Sequence, residues 1–285
     1  MNAAETIFEE QSKIIAAQKS GIVFEHVTKS FQPAESKMEV KVLHDITLFV
    51  PRQRFVVFLG SSGCGKTTLL RMVDGLIQPD SGTIKVLGES PKPGPDIGFV
   101  FQSFRLIPWL TVSGNIDFAL QNTGLNYDQR RERVDLNLEL VGLSKFRDTY
   151  PSELSGGMKQ RVALARALAP NPKILLMDEP FASIDAQTRD LMQFELMQIW
   201  TVQKPIVLFV THSVDEAIIL ADEVVLLGPR PGKVIEVIPI DLPRPRWAYD
   251  TRSDKRFIEF RSYLSNRMRE LVFSDPASEF YGRDR

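Results

Sequence analysis

Gly60-Ser61-Ser62-Gly63-Cys64-Gly65-Lys66-Thr67 fits the pattern G-x-x-x-x-G-K-[ST], and Thr68 continues it. The chemistry of that spacing is phosphate binding. Glycines let the backbone turn its N–H groups inward, and the N-terminus of a following helix adds partial positive charge. Lys66 is placed to bridge the β- and γ-phosphates of a nucleoside triphosphate, and the Thr67 hydroxyl to ligate Mg²⁺. Such a loop needs a buried strand before it and a helix after it. Phe55-Val56-Val57-Phe58-Leu59 is a continuous apolar run ending at Gly60, and Leu69, Leu70 and Val73 recur at helical spacing.

A second apolar run, Ile174-Leu175-Leu176-Met177, ends in Asp178-Glu179-Pro180. A carboxylate just past a buried strand can hold Mg²⁺ through water, which is the expectation for Asp178. Glu179 is then placed to orient and polarise an attacking water, and phosphoryl transfer needs little beyond such positioning and charge neutralisation. The plainer alternative is that the two acids cap the next helix. Leu154-Ser155-Gly156-Gly157-Met158 is another glycine-rich helix start. Taken alone it is a weak capping signal. In a chain whose phosphate loop is already complete, it suits the γ-phosphate of a nucleotide held by another subunit.

These residues need a scaffold, and 285 residues at roughly 150 per domain allow one large domain with an appendage or two units. Hydrophobic residues at 43% and charged residues at 25% describe a globular chain. Lys and Arg total 35 against 36 Asp and Glu, a balance that gives no support to nucleic-acid binding. One cysteine excludes an internal disulfide framework, and three histidines make a His-built metal centre a poor fit. Cys64, beside a helix N-terminus, is expected to have a lowered thiol pKa and to react with maleimide. No apolar run approaches the ~20 residues needed to cross a bilayer. Met1–Gln11 has three glutamates and no apolar signal region, so a cytoplasmic chain is expected, meeting a membrane only through a partner.

Strand, polar turn and helix recur along the chain. Phe55–Leu59, Ile174–Met177 and Ile206–Val210 read as buried strands, followed by helical patterns at Thr67–Val73, Thr188–Trp200 and Val214–Leu220. That order predicts a parallel sheet covered by helices. Ile22–Phe24 and Val42–Leu43 read as strands around a polar loop from Gln32 to Lys37, and Val224–Leu227 with Val234–Ile238 as a closing hairpin. Residues 103–153, with the stripe Val134, Leu138, Val141, read as a helical insertion. Residues 1–19 read as a frayed helix. Phe257, Phe260, Leu264, Met268 and Leu271 mark an amphipathic C-terminal helix.

With these motifs in hand, the chain resembles the ATP-binding subunit of an ATP-binding cassette (ABC) transporter from about Phe24 to Ile238. Six motifs carry the resemblance in order. They are the phosphate loop, the Q-loop glutamine in Phe101-Gln102, the signature Leu154–Gln160, the Walker B segment ending in Asp178-Glu179, a D-loop with Asp185, and a switch histidine in Thr211-His212. The resemblance implies an α/β P-loop NTPase, with a RecA-like parallel core, an N-terminal antiparallel β part and a helical signature subdomain. It implies ATP and Mg²⁺ as cofactors, Gln102 reaching Mg²⁺, and His212 contacting the γ-phosphate. Phe31 stands where the family stacks an aromatic on adenine, with a plain core role as the alternative. Ser155, Gly156 and Gly157 would face the ATP of a partner cassette. Two departures are Met158 in the signature, where glutamine is frequent, and Ala182-Ser183-Ile184-Asp185 in place of Ser-x-Leu-Asp.

Leu106–Val112, Phe181 with Asp185–Arg189, and Gly228–Lys233 resemble the nitrate/sulfonate/taurine importer group, which includes bicarbonate uptake systems. This implies an ATPase powering import of a small anion, as a head-to-tail cassette pair at the cytoplasmic face of the membrane. Multispanning permeases and an external solute-binding protein would be separate chains. An ATPase of a lipid-handling or export system, or a soluble non-transport cassette ATPase, is the alternative. Pro108-Trp109-Leu110 would form part of the groove for a permease helix, unless Trp109 is core. The expected organisation is an extension at 1–19, the ATPase domain at 20–240 with its helical part at about 103–153, and a helical extension at 241–285.

Overall fold

The computed structural model describes residues 21–32, 39–276 and 278–282. The expected N-terminal helix at 1–19 and most of the loop at Gln32–Lys37 lie outside the described residues. Two compact units divide the chain, one made from the described residues up to Pro93 with those from Val210 on, the other from Gly94–Phe209.

In the first unit, β1 (Ile22–Phe31) pairs antiparallel with β2 (Val40–Val50) and with β4 (Ser81–Val86), in the order β2-β1-β4. Both β1 and β2 extend well past the short apolar cores Ile22–Phe24 and Val42–Leu43. The cause is irregular register: β1 shifts between Phe24 and Val27, where His26 takes φ 51, and this breaks the alternation that marks a strand in sequence. β3 (Phe55–Leu59) is buried at every residue and runs parallel to β8 (Glu223–Leu227), from Val56 opposite Glu223 to Leu59 opposite Leu226. β8 turns back antiparallel onto β9 (Val234–Pro239), the closing hairpin read from the sequence. Helix α1 (Lys66–Val73) follows the phosphate loop.

In the second unit, β5 (Ile97–Val100) and β6 (Ile174–Asp178) are parallel neighbours, with β7 (Ile206–Thr211) beside β6; the unit boundary falls within β7. Between β5 and β6 the described chain is helical: α2 (Val112–Leu120), α3 (Tyr127–Leu140) and α4 (Gly156–Leu168). Their apolar faces meet in one core containing Val112, Ile116, Val134, Leu138, Val141 and Val162. The stripe read from the sequence is therefore the buried face of α3. α5 (Ala186–Gln203) follows β6.

Past β7, α6 (Val214–Leu220) leads to β8, and α7 (Lys255–Ser274) closes the chain with Phe257 and Leu264 buried. The link from β9 to α7 is held by Arg246, a buried arginine. Its Nη1 donates to the carbonyl oxygens of Ile218, Ile219 and Ala221 at 2.8, 3.0 and 2.7 Å, and its Nη2 to that of Ile240 at 3.1 Å. One side chain thus satisfies the carbonyls left over where α6 ends. The helix is further tied by Arg261 to Asp215 at 3.0 Å and by the Tyr263 hydroxyl to Glu236 at 2.8 Å.

Candidate active site

The first unit carries Phe31, the phosphate loop and His212. The loop leaves β3 at Gly60 and enters α1 through Gly65, whose φ of 101 lies in the left-handed region that glycine adopts without strain. A Cβ on Gly65 would stand 2.6 Å from a Leu43 methyl, so the loop has to be bare where it crosses β2. Inside it, the buried Lys66 ammonium donates to the carbonyl oxygens of Gly60 and Ser61, both at 2.8 Å. Ser62 and Gly63 face solvent, while Ser61, Gly65, Thr67 and Thr68 are half-buried.

Cys64 departs from expectation. It is 1% exposed, and burial raises its thiol pKa, outweighing the nearby Lys66 charge. The helix N-terminus does not make it a reactive thiol. Phe31 ends β1 at 39% exposure with the Lys29 ammonium 5.4 Å from its ring centre, so it is not a core residue. His212 is exposed in the bend between β7 and α6, directly before Ser213, which caps α6.

The second unit carries Gln102, the signature, Asp178, Glu179 and Asp185. β5 and β6 are parallel with Val100 opposite Met177. Gln102 therefore lies just beyond the same strand ends as Asp178 and Glu179, where parallel sheets present ligand-binding groups. Asp178 closes β6 and is buried; Glu179 follows at φ 44. Left-handed backbone at a non-glycine residue costs on the order of 1 kcal/mol and concentrates at functional sites. The helix after these acids is capped by Asp185, whose carboxylate accepts from the Thr188 N–H at 3.0 Å. Asp178 and Glu179 are thus not its caps. The Thr188 hydrogen bonds also hold the Asp185 carboxyl below its usual range.

Ser155 caps α4 by accepting from the Met158 N–H at 3.3 Å. The signature and D-loop turns are brought together: a Cβ on Gly157 would lie 2.8 Å from Thr188 Cγ2, whereas one on Gly156 would meet nothing within 4 Å.

Two positioning features were not foreseen. Arg166 on α4 donates to the carbonyls of Arg105 and Phe104 at 2.7 and 3.1 Å, anchoring the segment after Gln102 to the signature helix. Buried Asn115 donates its amide to the carbonyls of Ile107, Leu110 and Thr111 and accepts from the Ile107 N–H at 2.8 Å. That shapes the turn presenting Trp109, which is 75% exposed and so not core. A polar residue inside an apolar helical stripe was the available signal for Asn115; nothing local marks Arg166.

The sequence model for ABC transporter proteins matches residues 43–182. An uncharacterised ABC transporter ATP-binding protein of Methanocaldococcus jannaschii is 47% identical over 249 residues, 87% of this chain and 91% of its own. A nitrate import ATP-binding protein of Synechocystis sp. is 42% identical over 81% of this chain and 89% of its own. A taurine import ATP-binding protein of Escherichia coli O157:H7 is 43% identical over 80% and 92%. Among solved structures, a dimeric ATP-binding cassette in a post-hydrolysis state with ADP and Pi superposes with TM-score 0.68 at 28% identity, covering 78% of this chain and all of that one. Ordered motifs on a parallel α/β scaffold and these likenesses lead to one conclusion: the chain belongs to the ATP-binding cassette transporter family, and it is an ATPase of that family.

Proposed function

We propose that the chain powers uptake of a small anion of the nitrate, sulfonate or bicarbonate kind. The observation that carries this is its likeness, over most of its length, to import ATP-binding proteins named for nitrate and for taurine. Two cassettes act head to tail on separate multispanning permease subunits at the cytoplasmic face, with an external solute-binding protein delivering the anion. No described helix is long and apolar enough to cross a membrane, so membrane contact in this proposal runs through the permease. The exposed Trp109, on the turn built by Asn115, is the docking point. Beside that turn the second unit has a groove of about 620 Å³ lined by Phe99, Phe101, Ile107, Phe118, Arg105 and Arg166.

In the proposed cycle, the loop Gly60–Thr67 holds the triphosphate with its N–H groups while Phe31 stacks on adenine. The Lys66 ammonium exchanges its bonds to the Gly60 and Ser61 carbonyls for phosphate oxygens, where its charge offsets theirs. Glu179 orients the attacking water and draws on its proton, and His212 donates toward the γ-phosphate. Ser155, Gly156 and Gly157 close over the partner's ATP with their α4 N-terminus.

In this proposal Thr67, Gln102 and Asp178 would each offer a hard oxygen donor to Mg²⁺; among the described residues no cluster of three or more His, Cys, Asp or Glu could hold a metal alone. Mg²⁺ suits such sparse protein ligation because it keeps phosphate and water oxygens. Bound there, it would neutralise phosphate charge.

Reconstitution with the cognate permease and binding protein tests the substrate class. ATPase stimulation by one of nitrate, taurine or bicarbonate supports it; stimulation only by a lipid or a cation contradicts it.

A further inference from the structure

The β8–β9 connection, Gly228–Lys233, folds back onto the outer side of the phosphate loop. Gly232 donates its N–H to the Val42 carbonyl at 2.8 Å and accepts from the His44 N–H at 2.9 Å, a strand-like bridge beside Leu43. It packs so tightly that a Cβ would collide with the Cys64 carbonyl oxygen. This brings Arg230 to the loop. Its Nε and Nη2 both donate to the Gly63 carbonyl oxygen at 3.1 Å. Gly63 sits at φ +80, and a Cβ there would lie 3.0 Å from Arg230 Nη2.

We propose that Arg230 is a positioning residue for nucleotide polyphosphate, acting through the Gly63–Cys64 peptide. In a trans peptide the C=O and N–H point to opposite sides. Holding the Gly63 oxygen outward therefore turns the Cys64 N–H inward, where it donates to the Ser61 carbonyl at 3.4 Å. That bond is long and easily exchanged for a phosphate oxygen. Lys66 ties the carbonyls of Gly60 and Ser61 from within, and in the proposed cycle those bonds pass to phosphate. Arg230 holds its carbonyl from outside and keeps its grip with nucleotide bound. A forked guanidinium suits this, because two donors on one oxygen fix the direction of the peptide plane.

The inference rests on the nucleotide-binding role of Gly60–Thr67, and the test separates the two. Mant-ATP titration and steady-state ATPase are measured on the full chain, on Arg230→Ala and on Arg230→Lys, with Lys66→Ala as the control for the loop itself. Arg230→Ala should raise both Kd and KM about 5–10-fold, the loss expected for one ordinary net hydrogen bond. Its kcat should stay within about twofold, and its nucleotide-free Tm within about 2 °C, of the parent. Arg230→Lys should fall between, since an ammonium keeps the charge without the fork. Unchanged Kd and KM in Arg230→Ala, or a fall in kcat and Tm at constant KM, would overturn the proposal. If Arg230→Ala does not fold, Arg230→Lys decides: a Kd raised about threefold supports it, and a parental Kd overturns it. A parent that binds mant-ATP no better than Lys66→Ala would instead remove the nucleotide role on which the inference stands.

Discussion

Gly157 and Thr188 pack so closely that a Cβ on the glycine would stand 2.8 Å from Thr188 Cγ2. Thr188 cannot easily swing aside, because its N–H and side chain both bond Asp185, the cap of α5. Gly156, one residue earlier, has open space where its Cβ would be. Two adjacent glycines therefore separate fold from function. Gly157→Ala should destabilise the chain by about 1 kcal/mol through overpacking. Gly156→Ala should leave Tm unchanged or slightly raised, since alanine favours a helix over glycine by up to about 1 kcal/mol. If Gly156 lies against a partner's ATP, that well-folded variant should still lose most ATPase activity. Thermal denaturation beside ATPase assays distinguishes the two, and an active Gly156→Ala would remove Gly156 from the composite site.

Cys64 should resist maleimide. At 1% exposure and with its pKa raised by burial, it offers little thiolate near neutral pH, and labelling should run about 100-fold slower than for a free thiol. The rate should climb with pH and on unfolding. Rapid stoichiometric labelling of the native chain at pH 7 would show that the loop opens far more often than its packing implies.

Stability should carry a signature of Asp74, which closes α1. Burial pushes its carboxyl from 3.8 up to about 6. Between these values the folded state holds a proton that the unfolded chain releases. The protonated carboxyl thus contributes stability at low pH, lost as pH rises through about 6. Asp74→Asn removes the buried charge. It should raise stability at pH 8 by about 1 kcal/mol, after allowing for solvent screening of a partly exposed group, and have little effect near pH 3, below both values. Urea titrations at the two pH values measure this, and an equal effect at both would contradict it.

What could be read from sequence follows from how local each signal is. The runs at Phe55–Leu59 and Ile174–Met177 are strands buried at every position, and such strands announce themselves by composition alone. The phosphate loop was legible because its glycines, lysine and threonine act within one turn. β1 was legible only up to Phe24: Glu25 and His26 are both exposed, and a shift of register there disguises the strand's continuation. Cys64 differs from expectation because helix position is visible in sequence whereas packing against Gly60 and Lys66 is not. Nothing in residue type marks Arg246, Arg166 or Arg230 as holding the backbone in place. Their partners are carbonyl oxygens as many as 167 residues away in Arg230's case, and backbone acceptors leave no trace in residue type.

In the proposed cycle Glu179 activates water for hydrolysis of an ATP shared between two cassettes. Glu179→Gln keeps the shape and hydrogen-bonding reach but removes the charge that polarises the nucleophile. Binding should survive while turnover largely stops, and the retained nucleotide then stabilises the pair by mass action. The measurement is light scattering coupled to size-exclusion chromatography of Glu179→Gln. The expected result is monomer without nucleotide, dimer with ATP, monomer with ADP, and monomer with ATP once Ser155→Arg is added. Hydrolysis by Glu179→Gln at the parental rate would show that Glu179 is not the catalytic carboxylate, and an ATP-dependent dimer that persists with Ser155→Arg would show that the signature does not close over the partner's ATP.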